Sequence, residues 1–113
     1  MKKTVLFMLS LIATVLLYGR DEFKRGAFVS RTTGDTLLYR YLEPQELKKG
    51  KKYPLVIFLH GSGERGSDNQ AQLFHGSGQF INPVNREEFP AYVLFPQCPE
   101  GVPGAYMPRL ETL

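Results

Sequence analysis

Two unbroken apolar runs interrupt an otherwise mixed pattern of hydrophobic and polar positions. Leu55 to Leu59 is one, and Ala91 to Phe95 is the other; each is flanked by turn residues. A short continuous apolar run between turn signals is expected of a strand buried on both faces, as in an α/β sheet. Earlier in the chain, Thr36 to Leu42 alternates imperfectly, with Leu37, Tyr39 and Tyr41 on one side. Phe28 to Arg31 reads as a short strand before it. Between them, Thr32-Thr33-Gly34-Asp35 is turn chemistry, since Gly34 supplies positive φ and Asp35 can bond the local backbone. These segments predict a β-hairpin.

The remaining segments are less regular. Glu43-Pro44 ends the hairpin, and Gln45 to Lys52 is a polar connector. Asn69 to Phe74 predicts a turn or two of helix with Asp68 as N-cap, stopped by His75-Gly76-Ser77-Gly78. Asn82-Pro83 reads as a turn. Asn85 to Phe89 reads as one more helical turn, closed by Pro90, and Pro96 ends the second apolar strand. The two apolar strands, joined by a segment of crossover length, are expected to lie side by side and parallel. No internal repeat is present. The expected class is α/β, with a β-hairpin followed by parallel strands. Strands buried on both faces need more cover and more sheet neighbours than these elements supply, so the sheet reads as incomplete. The chain resembles the opening third of a larger α/β domain.

The first residues have a different character. Lys2 and Lys3 precede an apolar run from Thr4 to Leu17, the n-region and h-region of a secretory signal. The run is too short for an ordinary membrane span, which needs about 20 residues. The expected organisation is a signal peptide over residues 1–19 and an α/β portion over residues 20–113, in a secreted or periplasmic protein. An uncleaved anchor is the alternative, because Leu17 fits a cleavage site poorly. No stable membrane span is expected.

Charge changes the picture little. Removing residues 1–19 takes away two lysines and no acid, so the formal net charge falls from +3 to +1. The basic balance therefore belongs mostly to the leader and does not point to nucleic acid. Lys48, Lys49, Lys51 and Lys52 cluster around Gly50, and the plain reading is a solvated turn. The single cysteine, Cys98, cannot form an internal disulfide and reads as a small, partly buried filler.

The chemistry concentrates in Val56 to Gln70, "VIFLHGSGERGSDNQ". Gly61, Gly63 and Gly66 match G-x-G-x-x-G letter for letter. A dinucleotide-binding turn would need a strand–helix–strand context and an acid about 20 residues on, at the tip of the next strand. Here a hairpin comes first, the residues after Gly66 are polar, and the next apolar strand ends Phe95-Pro96-Gln97. A P-loop would need Lys-Ser or Lys-Thr where Ser67-Asp68 stand. Neither context is met, and no cofactor is expected. No spacing of His, Cys, Asp or Glu suggests a metal. Two readings of the glycine loop stay open on spacing alone: a plain Gly-rich turn, or one half of an oxyanion hole after a strand ending in His-Gly.

His60-Gly61-Ser62-Gly63-Glu64-Arg65-Gly66, together with Pro96-Gln97-Cys98-Pro99, resembles the secreted esterase branch of the α/β-hydrolase superfamily. That branch includes phospholipase/carboxylesterase-like, feruloyl-esterase-like and prolyl-oligopeptidase-type proteins. The resemblance covers about Phe28 to Gly101 and implies the N-terminal part of an α/β-hydrolase sheet. It implies a serine nucleophile on a G-x-S-x-G elbow, followed in chain order by Asp and His. It also implies a small-molecule or polysaccharide ester as the substrate of an intact relative. It assigns Gly61, Ser62 and Gly63 to the oxyanion loop, with Ser62 and Gly63 donating through backbone N–H. Glu64 and Arg65 would hold the loop, and Gln97 and Cys98 would line the floor near the site.

One departure matters. None of Ser10, Ser30, Ser62, Ser67 and Ser77 has glycine two residues before and two after. His60 and His75 precede any possible elbow, which does not fit the triad order; His60 reads as a structural residue that bonds the turn. The function expected from the sequence is thus the N-terminal fragment of an exported serine ester hydrolase. It carries the oxyanion loop without nucleophile, acid or base, and is inactive alone. A small secreted binding or interaction module is the alternative.

Overall fold

The computed structural model describes residues 22–100. The leader expected over residues 1–19 lies outside them. Four strands form one mixed sheet in the order β1-β2-β4-β3: β1 (Lys24–Val29), β2 (Thr36–Leu42), β3 (Leu55–Ile57) and β4 (Tyr92–Gln97). β1 and β2 make the antiparallel hairpin, with Gly26 opposite Tyr39. The first strand runs earlier than Phe28–Arg31 because the turn begins at Ser30. The Ser30 hydroxyl accepts from the amides of Thr32 and Thr33, and its backbone N–H donates to Asp35 at 2.8 Å.

β4 lies between its two partners, antiparallel to β2 and parallel to β3. The two apolar runs are therefore adjacent parallel strands. β4 continues through Pro96 to Gln97, past the proline that was expected to end it. Tyr92 N–H donates to Pro54 and Leu94 C=O accepts from Phe58, so alternate residues of β4 turn their backbone groups toward β3. Pro96 follows in the same alternation, beyond Ile57, the last residue of β3, whose partner is Leu94. A proline is tolerated at such a place.

The alternation of β4 also divides the sheet faces. Val93 and Phe95 are buried on one face with Phe23, Leu42 and Leu73, and Val56, Phe58, Phe80 and Ile81 pack around them. The Phe95 ring stacks on Phe58 at 4.7 Å and meets Phe23 and Phe80 edge-on at 5.3 and 5.7 Å. Such aromatic contacts add about 0.5–1.5 kcal/mol each beyond area burial. The cover comes from a 3-10 turn, Ala71–Leu73, and two short helices, Ser77–Ile81 and Pro83–Glu88. The helix Ser77–Ile81 occupies a stretch whose sequence reads as a helix stop. Gly76 starts it at φ +81°, pressed against Phe58, where a Cβ would lie 2.5 Å from the ring. Asn82-Pro83 caps the next helix: the Asn82 side chain accepts from Val84 and Asn85, and proline occupies the first turn.

The opposite face differs from the expectation of strands covered on both sides. Leu55, Ile57 and Leu59 are 60%, 45% and 46% exposed. Leu55, with Tyr39, Tyr41, Tyr92 and Leu94, lines an apolar trough that the described residues leave open. Among the described residues no helix is long and apolar enough to cross a membrane.

Candidate functional site

The sequence-predicted residues lie together at the carboxyl end of the parallel pair. After β3 the chain passes through His60 and closes a 3-10 turn, Ser62–Glu64, with Gly61 as its N-cap in extended conformation. Glu64 N–H donates back to Gly61 C=O at 3.3 Å. The first amides of any helical turn have no partner within it. Among the described residues, the N–H groups of Gly61, Ser62 and Gly63 donate to no acceptor, and all three residues are exposed.

The loop is fastened to the end of β4. Cys98 N–H donates to His60 Nε2 at 2.9 Å, and His60 Nδ1 lies 2.6 Å from the Gly61 carbonyl oxygen. A carbonyl can only accept, so Nδ1 carries the proton and Nε2 is the acceptor. Both ring nitrogens are thereby engaged in holding the turn, and His60 is not poised as a general base. Gly66 N–H donates to Cys98 C=O at 3.0 Å. Gly66 sits at φ +149°, a region essentially limited to glycine. Of the three matched glycines, Gly66 thus has a conformational reason, whereas Gly61 is in extended backbone.

Gln97 follows Val93 and Phe95 on the core face of β4 and is 1% exposed. Its Nε2 donates to Glu64 C=O at 3.2 Å and to Asp68 Oδ1 at 2.8 Å, and its Oε1 accepts from Asn69 N–H at 2.7 Å. Asp68 Oδ1 also accepts from the amides of Gln70 and Ala71, so Asp68 gathers the start of the following turn, although the N-cap position of Ala71–Leu73 is Gln70 rather than Asp68. The hydrogen bond from Gln97, then those from Ala71 and Gln70, hold the Asp68 carboxyl below its usual pKa.

A second layer ties this end to the hairpin. Asn69, at φ +52°, donates from its side chain to Tyr39 C=O and offers its own carbonyl to Arg40 and Arg25. Arg40, 2% exposed in the middle of β2, also donates to Phe23 C=O and Gln70 Oε1. Glu64 does not pair with its neighbour Arg65. It reaches His75, whose Nε2 is 3.3 Å from Glu64 Oε1, so the helix-end histidine braces the glycine loop. The Cys98 thiol points to Pro99 C=O at 3.6 Å rather than to an imidazole. Among the described residues Ser62 Oγ has no hydrogen-bond partner, and no group of three or more His, Cys, Asp or Glu could hold a metal.

The sequence marked Gly61–Gly66 and Pro96–Pro99 as two separate motifs, and the structure joins them through His60–Cys98 and Gln97. Gln97, expected on the floor near the site, is instead buried as a clamp on the loop, and the roles of Asn69 and Arg40 were missed. A polar residue following two apolar ones in the Val93, Phe95, Gln97 alternation was the one available signal for Gln97.

No protein-family profile matches the chain, and no curated protein matches it. A solved structure does. The chain is similar to an esterase. A thermostable esterase of known crystal structure superposes with a TM-score of 0.69 and 38% identity over 74% of this chain. The chain spans 23% of that esterase. The four-stranded sheet and its short helices are therefore compatible with part of an α/β fold related to that of an ester hydrolase.

Proposed function

We propose that this chain supplies the oxyanion-hole part of an exported serine ester hydrolase of the α/β-hydrolase superfamily. The observation that carries the reading is the set of undonated, exposed amides at Gly61, Ser62 and Gly63, on a loop fixed to the carboxyl edge of a parallel pair. The identity to a thermostable esterase supports it. In acyl transfer of this kind a serine oxygen attacks the ester carbonyl, and the carbonyl oxygen becomes an oxyanion in the tetrahedral intermediate. The Ser62 and Gly63 N–H groups donate to that oxygen. The alcohol then leaves with a proton, and water releases the acyl group from the serine. Removing one such donor typically costs about 3 kcal/mol of transition-state stabilisation. The chain holds no G-x-S-x-G serine, and His60 is engaged structurally, so the chain carries the electrostatic half of the reaction without the nucleophilic half. A small-molecule or polysaccharide ester is the substrate class of the intact relative to which the resemblance points.

Two measurements test this. Titration of the ¹⁵N-labelled chain with methylphosphonate, a tetrahedral anion, is expected to shift the Ser62 and Gly63 amide resonances; unresponsive amides overturn the oxyanion reading. Hydrolysis of p-nitrophenyl acetate by the purified chain is expected to stay at background. Saturable turnover that Ser62→Ala abolishes would make Ser62 itself a nucleophile.

A further inference from the structure

We infer that Gln97 is the positioning residue of the amide-bearing turn, its buried side-chain amide spanning from Glu64 through Asp68 to Asn69 and setting where the Gly61–Gly63 N–H groups stand over the sheet. This rests on the oxyanion reading and deepens it.

The side chain reaches the last residue of the turn, Glu64, and the far end of the segment that follows it, Asn69. Nε2 holds the Glu64 carbonyl, and the Glu64 N–H is the group that closes the turn onto Gly61. Oε1 holds the Asn69 amide, where the backbone is in left-handed space. Between them, Nε2 also reaches Asp68 Oδ1, which gathers the start of the next turn. Donor and acceptor must therefore occupy opposite sides of one planar group, at 1% exposure. A carboxylate could not donate to Glu64, and an ammonium could not accept from Asn69. Glutamine answers both ends at once. It also stands on β4, one of the two interior strands, and pairs there with Leu38 of β2. A loop fixed to an interior strand inherits that strand's rigidity, which is what a preorganised donor set needs.

The test uses the full ¹⁵N-labelled chain and its Gln97→Met, Asp68→Ala and Asp68→Asn variants. Three readouts are followed: amide exchange at Asn69, heteronuclear NOE over residues 61–66, and the methylphosphonate response of Ser62 and Gly63. Gln97→Met is expected to speed exchange at Asn69 about tenfold, the loss of one buried hydrogen bond. It is also expected to lower the NOE over residues 61–66 and to abolish the anion response, with the hairpin amides of Gly26 and Leu37 unmoved. Asp68→Ala, a change at an exposed position, is expected to loosen the same loop. Asp68→Asn, which keeps an acceptor oxygen for Gln97, is expected to restore it. If Gln97→Met does not fold, the Asp68 pair decides: a loop as ordered in Asp68→Ala as in the parent overturns the inference. An anion response that survives in folded Gln97→Met overturns it while leaving the oxyanion reading standing. A parent chain that never responds to the anion, but whose loop loosens in Gln97→Met, overturns the oxyanion reading and upholds the hold of Gln97 on the loop.

Discussion

The turn Ser30–Asp35 and the loop His60–Asn69 each contain a glycine in left-handed space, Gly34 at φ +75° and Gly66 at φ +149°. They are held in opposite ways. The hairpin turn is closed by its own residues: Gly34 N–H donates to Ser30 C=O, Ser30 N–H to Asp35 C=O, and Asp35 N–H to the Thr33 hydroxyl. The glycine loop is bonded largely to β4, through Gln97 and Cys98, about thirty residues away in sequence. A self-contained turn needs only its own residues to be correct. A loop clamped from a distance needs the rest of the sheet, and in return its backbone amides can be left unpaired at a fixed place.

The largest effect expected from this difference is at Gln97. Gln97→Ala removes three hydrogen bonds and leaves a void, and should destabilise the chain by about 3 kcal/mol in urea unfolding. A loss below about 1 kcal/mol would mean that the loop is not held from β4, and the contrast would collapse. The two glycines give the next test. Gly66→Ala must adopt a region reserved for glycine and should cost about 2–3 kcal/mol. Gly34→Ala has open space and only ordinary left-handed strain, so about 1 kcal/mol is expected. Equal losses for the two would remove the distinction. Ser30→Ala deletes the hydroxyl that gathers the Thr32 and Thr33 amides, and should cost about 0.5–1 kcal/mol. Its chemical-shift changes should stop within the hairpin, whereas those of Gln97→Ala should spread over residues 60–70.

The smallest effect concerns pH. The Asp68 carboxyl is held below its usual pKa, so its contribution is present above the unfolded value of about 3.9 and fades as pH falls through the folded one. The Gln70 and Ala71 amides, which donate to it, should therefore move in a titration below about pH 4. Asp68→Asn should remove that movement and leave the hairpin turn unaffected.

The same division explains what could be read from the letters. β2 matches its reading from Thr36 to Leu42, and the two apolar runs pair in parallel as their composition suggested. Those are properties of local pattern. Arg40 could not be placed in the core from its sequence, since its partners lie at Phe23, Asn69 and Gln70. Helix Ser77–Ile81 was hidden because Gly76 and Gly78 read as breakers, while the deciding contact is with Phe58. At the site, Gly61, Ser62 and Gly63 stood out as letters, but what fixes them is a glutamine on another strand. A motif shows where a backbone bends, and the groups that hold the bend are chosen by tertiary neighbours.

The position of β4 has a consequence in time. It is the last described strand in the chain, yet it sits between β2 and β3 in the sheet. During synthesis the hairpin can close as soon as residue 42 has emerged, because its contacts are local. β3 then has no partner, and the glycine loop has neither the Cys98 amide nor Gln97 to grip, until some forty more residues have been added. The glycine loop is thus fixed late, when β4 pairs with β2 on one side and β3 on the other. Pulse-labelled hydrogen exchange during refolding should find the hairpin amides protected first, with Asn69 and the β4 amides gaining protection together afterwards.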